Sequence, residues 1–125
     1  MKKLFIGTFA AAFFCAILSA SANPPNAIDG FYDVGRGELN ITVQHMVNDP
    51  KTHFIKEVIV SKDGKEVAKK EFAFQTSHRN QTMPPFKLAA QPGESFKVKA
   101  ECNIYGSREV SIDVKEGAEN VRKLN

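Results

Sequence analysis

Three residues of this chain have the chemistry of transition-metal ligands: His45, His53 and Cys102. Neutral imidazole and thiolate are ligands that iron, copper and zinc accept in proteins, and a ligand costs little to organise when a sheet already holds it. Each of the three lies at or near the end of a stretch that predicts a β-strand. A histidine at a strand end is also a common surface or hydrogen-bonded residue, and a cysteine there also fills a core as a small apolar residue. Sequence spacing cannot show that the three side chains meet, so their convergence is a prediction.

The strand that ends at Cys102 has the clearest pattern in the chain. From Ser95 onwards, apolar residues alternate with Lys and Glu, which is typical of a strand with one buried and one exposed face. Cys102 takes the last inward position, because turn-forming residues begin at Asn103. The stretch from Leu39 to His45 alternates in the same way. It predicts that His45 lies on the buried face at the end of its own strand.

The stretch that contains His53 predicts a strand with an ambiguous phase. Its second half is rich in β-branched residues, as expected for a strand. His53 would share one face with Ile55, whereas Phe54 would share the opposite face with Val58. The sequence therefore predicts the strand but leaves the direction of His53 open.

The remaining segments complete an all-β chain. Asp63-Gly64 predicts a tight hairpin turn, and the polar strand after it is expected at a sheet edge, where its lysines discourage stray pairing. No stretch has a sustained helical period, and short strands alternate with turn signals, so the sequence predicts an all-β sandwich or a partly open barrel. The other predicted segments are an irregular arm (Asn23 to Gly37), the hairpin strand (Val67 to Phe74), a polar loop (Gln75 to Pro85), a short strand (Phe86 to Leu88), a last strand (Val110 to Val114) and a charged tail (Lys115 to Asn125).

The first 22 residues have the features of a cleaved signal peptide. Lys2 and Lys3 precede an apolar run from Leu4 to Leu18, and Ala20-Ser21-Ala22 matches an A-x-A cleavage site. An uncleaved anchor is the alternative, but the run is shorter than the roughly 20 residues that span a bilayer. We therefore expect export to the periplasm, with no membrane span after cleavage and a single domain over residues 23–125.

The net charge limits the kinds of partner that the mature domain could bind, and its cysteine content limits its disulfides. Without Lys2 and Lys3, 15 basic residues oppose 14 acidic residues, and the net charge is +1. Nothing in this balance indicates nucleic acid or an anionic membrane surface as a partner. Cys102 would be the only cysteine, so the domain cannot form an internal disulfide even in an oxidising compartment. A lone thiol in such a compartment is stable only if it is buried or ligates something.

Three segments resemble one known family. They are His53-Phe54-Ile55, the strand that follows with its turn Asp63-Gly64-Lys65, and the run from Phe96 to Gly106. Over roughly Leu39 to Val114, the chain resembles the iron-binding domain of superoxide reductases, the desulfoferrodoxin and neelaredoxin family. The most specific family motif is Cys-Asn-x-His-Gly, which this chain matches except that Tyr105 replaces the histidine.

The resemblance implies an immunoglobulin-like β-sandwich with one non-haem iron, which reduces superoxide to hydrogen peroxide. In that family four histidines and one axial cysteine hold the iron. Cys102 matches the axial cysteine, and His45 and His53 match two of the histidines. The other two are missing, because Tyr105 replaces one and the Glu-Lys-His-x-Pro segment has no counterpart in Asn23 to Asn40, which contains no histidine. Loss of that segment also removes the lysine expected to guide superoxide.

Three hypotheses follow from these residues. The leading one is an exported superoxide reductase-like domain with an altered mononuclear site, which would hold iron, or otherwise copper or zinc. The second keeps superoxide reduction and needs an external electron donor. The third is a metal-free binding or structural module that has lost the site.

Two neighbours of the site carry further expectations. Tyr105 is expected to line the site without ligating the reduced metal, because its phenol would have to lose a proton with an ordinary pKa of about 10. His78 and Met83 lie in the polar loop, and with His45 and Met46 they form an alternative imidazole and thioether set suited to copper.

Overall fold

The computed structural model describes residues 24–116, so the predicted signal peptide and the tail beyond residue 116 lie outside the described residues. The described part contains no helix, and therefore no helix that could cross a membrane. The prediction of an all-β chain is confirmed. The eight strands are β1 (Ala27–Asp33), β2 (Glu38–Gln44), β3 (Ile55–Lys62), β4 (Lys65–Glu71), β5 (Asn80–Thr82), β6 (Phe86–Lys87), β7 (Ser95–Cys102) and β8 (Ser107–Asp113).

The strands form two antiparallel sheets of four strands each, as in a β-sandwich. In one sheet β1, β2 and β5 lie in that order, and β6 also pairs with β2. In the other the order is β4, β3, β7, β8, so that the strand ending in Cys102 is central. The immunoglobulin-like type of sandwich, which the family resemblance implies, stays a prediction.

The core lies between the sheets and is built by the predicted alternation. On β2 and β7 every second residue is apolar and faces inward, whereas the residues between them are more exposed, and β3 follows the same alternation from Val58 to Val60. Full burial of a side chain as large as Leu39 or Phe96 contributes about 2 kcal/mol of hydrophobic stabilisation. The buried core comprises Ile28, Tyr32, Leu39, Ile41, Val43, Ile55, Val58, Val60, Phe96, Val98, Ala100, Ile112 and Val114.

The hairpin between β3 and β4 has the predicted turn. Asp63 and Gly64 both have positive φ, at 53° and 76°, which is the conformation of a two-residue turn that suits twisted strands. β4 lies at the sheet edge, as predicted, and Lys69 there forms ion pairs with Glu57 at 3.4 Å and Glu71 at 3.3 Å. Lys69 and Glu71 are exposed and Glu57 is half-buried, so these pairs stabilise the edge only slightly.

The predicted irregular arm is wrong, because its middle forms β1. Ile28 and Tyr32 face the core from β1, but Gly30 occupies the position between them and hides the apolar alternation. The structure explains this glycine: a Cβ at Gly30 would lie 2.5 Å from Ile112 Cδ1 and 2.8 Å from the carbonyl oxygen of Asn40. The Ile112 side chain from the other sheet and the backbone of the neighbouring strand β2 therefore leave no room for a Cβ at this position.

The predicted polar loop also contains a strand that the sequence does not reveal. β5 pairs with β2, and its inward residue is Gln81, which is buried and hydrogen-bonded. A three-residue strand with a polar inward residue has no apolar alternation, and the sequence pattern therefore indicates only a loop.

A β-bulge explains the ambiguous phase around His53. Ile55 pairs with Cys102, whereas Glu57 pairs with Glu101, so β3 has one extra residue, Lys56, at this point. Both Ile55 and Val58 are therefore buried although they are three residues apart. The two phases suggested by the sequence both occur, one on each side of the bulge.

Candidate metal centre

One end of the sandwich brings together the three predicted ligands. His45 directly follows β2, His53 lies two residues before β3, and Cys102 is the last residue of β7. One ligand atom from each of the three lies within 4.8 Å of the others. His45 and Cys102 are buried and His53 is half-buried. Residues 49 positions apart in the chain, His53 and Cys102, meet because Ile55 and Cys102 are partners across the sheet.

His45 is held by the side chain of Gln75. Its Nδ1 lies 2.8 Å from Gln75 Oε1. The same amide donates from Nε2 to the carbonyl oxygens of His45 at 2.7 Å and Ser77 at 2.9 Å, and its oxygen accepts from Ile55 N at 3.2 Å. These partners assign the amide orientation, because the carbonyls need a donor and the backbone N–H needs an acceptor.

The orientation of Gln75 also assigns the proton on His45. Because Oε1 can only accept, Nδ1 of His45 must carry the hydrogen, and in the neutral ring Nε2 then carries the lone pair. A hydrogen bond to the ring nitrogen that does not bind the ion is the usual support for a metal-binding histidine. The amide therefore prepares His45 to ligate through Nε2.

Sequence reasoning missed Gln75. It is 2% exposed, yet it lies within the segment predicted as a polar loop, where a glutamine looks like an ordinary surface residue. Its backbone N donates to the carbonyl of Pro50 at 2.9 Å, which fixes the segment against the turn before β3. No periodicity could have indicated this contact, since Gln75 lies outside every strand.

His53 and Cys102 are in direct contact. His53 Nε2 lies 3.1 Å from Cys102 Sγ, and the rings of His53 and His45 meet edge to face with centroids 4.8 Å apart. Burial, and secondarily the neighbouring His45, lower the pKa of His53 below its ordinary value, which favours the neutral ring that a metal requires. The buried ring of His45, the half-buried ring of His53 and the thiol of Cys102 thus lie in contact with one another or nearly so.

The distance between His53 Nε2 and Cys102 Sγ fits two ligands of one ion. Sulfur at about 2.3 Å and nitrogen at about 2.05 Å from a metal would lie about 3.1 Å apart at a right angle and about 3.6 Å apart at the tetrahedral angle. The observed 3.1 Å lies at the short end of that range. Two imidazoles and a thiolate are a donor set for a transition metal, and the residues present therefore fit such an ion.

Asn103 links the segments that carry His53 and Cys102. Its Oδ1 accepts from Phe54 N at 2.8 Å, and its Nδ2 donates to the carbonyl of Thr52 at 3.0 Å. The backbone adds a third link, from Asn103 N to the carbonyl of Phe54 at 2.9 Å. Since Thr52 and Phe54 flank His53 on both sides, Asn103 fixes its distance from Cys102.

Tyr105 lies in the loop after the cysteine, with its side chain 60% exposed. It lines a shallow surface depression together with Cys102 and the ion pair of Lys56 with Glu101. Gly106 closes the loop with a φ of +104°, which favours glycine, and its carbonyl accepts from Cys102 N at 2.9 Å. Tyr105 thus lies next to the cluster in the chain but at the surface.

The other residues of the alternative copper set, His78, Met46 and Met83, do not gather around His45. His78 Nδ1 lies 3.3 Å from the carbonyl of Val47, and His78 is not part of the three-residue cluster. Met46 is 63% exposed, and Met83 packs against the core. Of the predicted ligand groups among residues 24–116, only His45, His53 and Cys102 form a cluster.

No protein-family model, no curated protein and no solved structure matches this chain. The resemblance to superoxide reductases therefore rests on the residues quoted above.

Proposed function

We propose that this chain is an exported, superoxide reductase-like β-sandwich that binds one transition-metal ion through His45, His53 and Cys102. The observation that supports it most is the convergence of three donor atoms within 4.8 Å, from three separate segments of the chain. Two independent hydrogen-bonded supports, Gln75 and Asn103, hold these segments in place. The N-terminal charge and apolar pattern supports export.

The proposed ion gives the domain a redox role. A thiolate and two imidazoles suit metals that change oxidation state, and burial of the ligands tunes the potential of such an ion. Iron is the metal that the family resemblance implies, and copper and zinc accept the same ligand types. The protein contributes the fixed ligand positions, the proton on His45 Nδ1 and the exclusion of water around Cys102.

Superoxide reduction itself is a weaker proposal. The chain has three histidines in all, and His78 is not in the cluster, so two of the five family ligands have no replacement by histidine. A change of ligands alters both the potential and the geometry of a metal. If this activity is retained, the reduced protein consumes superoxide without evolving oxygen and depends on an external electron donor.

The metal-free alternative predicts a different role for the same contact. There, the hydrogen bond between His53 Nε2 and Cys102 Sγ would satisfy both groups permanently. Melting would then be independent of added metal, and Cys102 would stay inaccessible to thiol reagents in the folded protein.

The test is a metal titration of the purified chain under anaerobic conditions. Ferrous iron, copper and zinc are each added, bound metal is counted, and the melting temperature is followed. We expect one ion per chain and a rise in melting temperature, both lost in Cys102→Ala and both kept in His78→Ala, the matched control outside the cluster. If none of the three metals binds in a stoichiometric amount, the proposal is refuted.

A further inference from the structure

The ligand count of this chain disagrees with the iron site that the family resemblance implies. That site needs four histidines and a cysteine, whereas the whole chain contains three histidines, and His78 lies outside the cluster. Among residues 24–116 no carboxylate joins the three donors either. The donor set is therefore a three-coordinate one.

Coordination number separates the metals that bind cysteine and histidine. Structural zinc sites are almost always four-coordinate, and catalytic zinc keeps a water in the fourth position. Copper accepts a trigonal set of two histidines and one cysteine, with at most a weak further ligand. His45 is 1% and Cys102 4% exposed, so water can approach the cluster only from the side of the half-buried His53. Three donors, two of them buried, thus favour copper, which needs no strong fourth ligand.

The charge of the cluster gives an independent argument for monovalent copper, Cu(I). A metal-bound thiolate carries one negative charge and two neutral imidazoles carry none, so Cu(I) makes the buried group neutral, whereas Fe(II) or Zn(II) leaves one positive charge. An uncompensated charge is costly to bury. The adjacent carboxylate of Glu101 does not offset it, because it pairs with Lys56 at 3.4 Å and Lys99 at 3.2 Å.

We propose that the cluster of His45, His53 and Cys102 is a site for monovalent copper, selected over ferrous iron and zinc by its three donors, two of them buried, and its single negative charge. This inference rests on the proposed function, that the cluster binds a metal, and adds the identity of the ion.

A competition experiment tests the choice of metal. The full chain is expressed with its leader, purified and given equimolar Cu(I), Fe(II) and Zn(II) without oxygen, and bound metals are counted after desalting. We expect one Cu(I) per chain and a preference over each divalent ion of at least about tenfold. His78→Gln is expected to bind as the original does, and Cys102→Ser to lose the copper.

The other outcomes separate the two proposals. If Fe(II) or Zn(II) occupies the site and excludes Cu(I), the copper inference is overturned while metal binding stands. If no metal is retained, both fail. Should Cys102→Ser not fold, X-ray absorption of the copper-loaded original chain decides: one sulfur and two nitrogen neighbours support the site, and a spectrum without sulfur overturns it.

Discussion

Replacement of Gln75 by leucine separates its support of the metal site from its support of the fold. The side chain makes four hydrogen bonds, to Nδ1 and the carbonyl of His45, to Ile55 N and to the carbonyl of Ser77. At a net value of about 1 kcal/mol each, their loss costs about 4 kcal/mol, a large part of the roughly 5–15 kcal/mol that stabilises a small domain. For a domain of this size, the melting temperature should fall by on the order of 20 °C.

The same substitution should weaken metal binding by about 10- to 100-fold, because the proton and the orientation of His45 are no longer fixed. Gln81→Leu is the matched control. Gln81 is also buried and makes three hydrogen bonds, with Thr76 and Thr82, but none with His45. It should cost about 3 kcal/mol while leaving the metal affinity of the folded protein unchanged.

Denaturant unfolding gives the stability of both variants, and metal titration below their melting temperatures gives the affinity. If Gln75→Leu binds metal as tightly as the original chain, or if Gln81→Leu weakens binding equally, the assigned role of Gln75 is refuted. If Gln75→Leu does not fold, Gln75→Glu is the second variant to be measured. Its carboxyl group still accepts from His45 Nδ1 and Ile55 N but lacks the amide donor to the carbonyls of His45 and Ser77, so it should lose more than about 2 kcal/mol of stability yet keep more metal affinity than Gln75→Leu.

Three further predictions address the fold and the site separately. Asn103→Ala removes the two side-chain hydrogen bonds that hold the residues on either side of His53. We expect the free energy of unfolding in urea to fall by roughly 1–2 kcal/mol and metal binding to weaken. An unchanged metal affinity would contradict the role of Asn103 in positioning His53. In the metal-free protein the pKa of His53 is lower in the folded than in the unfolded state, so the unfolded chain binds a proton more readily. The free energy of unfolding should therefore fall as the pH drops from about 6.5 through the lower folded pKa. A His53→Gln variant with the same pH profile would exclude His53 as the cause. Gly30→Ala places a Cβ 2.8 Å from the carbonyl oxygen of Asn40 and should destabilise the fold by about 1–3 kcal/mol with metal affinity intact. An undiminished thermal stability would show that Ile112 and the backbone of β2 can move to make room for it.

The parts of the structure that follow the rule of alternation were predictable from the sequence. β7 and β2 have apolar residues at every second position, so the inward direction of Cys102 and His45 followed directly. β1 and β5 were missed because Gly30 and Gln81 interrupt their apolar pattern for reasons of packing and hydrogen bonding that only the three-dimensional arrangement contains.

The candidate site was predictable as a set of residues but not in its supports. Residue type identified the three donors, whereas their convergence depends on the extra residue in β3 and on contacts between distant segments. Gln75 and Asn103 act through side-chain hydrogen bonds to backbone groups far away in the chain. Such contacts leave no periodic trace in a sequence, since each involves one residue and one partner.

The central position of β7 determines how long the thiol of Cys102 can survive without a metal. β7 lies between β3 and β8, and the strand end is closed by the bond from Cys102 N to the carbonyl of Gly106. Cys102 lines the depression beside Tyr105 but is only 4% exposed, so an oxidant reaches its thiol mainly when this strand end opens, and the oxidation rate then follows the population of the opened state. Each 1 kcal/mol of opening free energy lowers that rate about fivefold. In the proposed exported form, the chain would thus have a protected interval, set by its own opening fluctuations, in which Cys102 can acquire the proposed ion before it is oxidised.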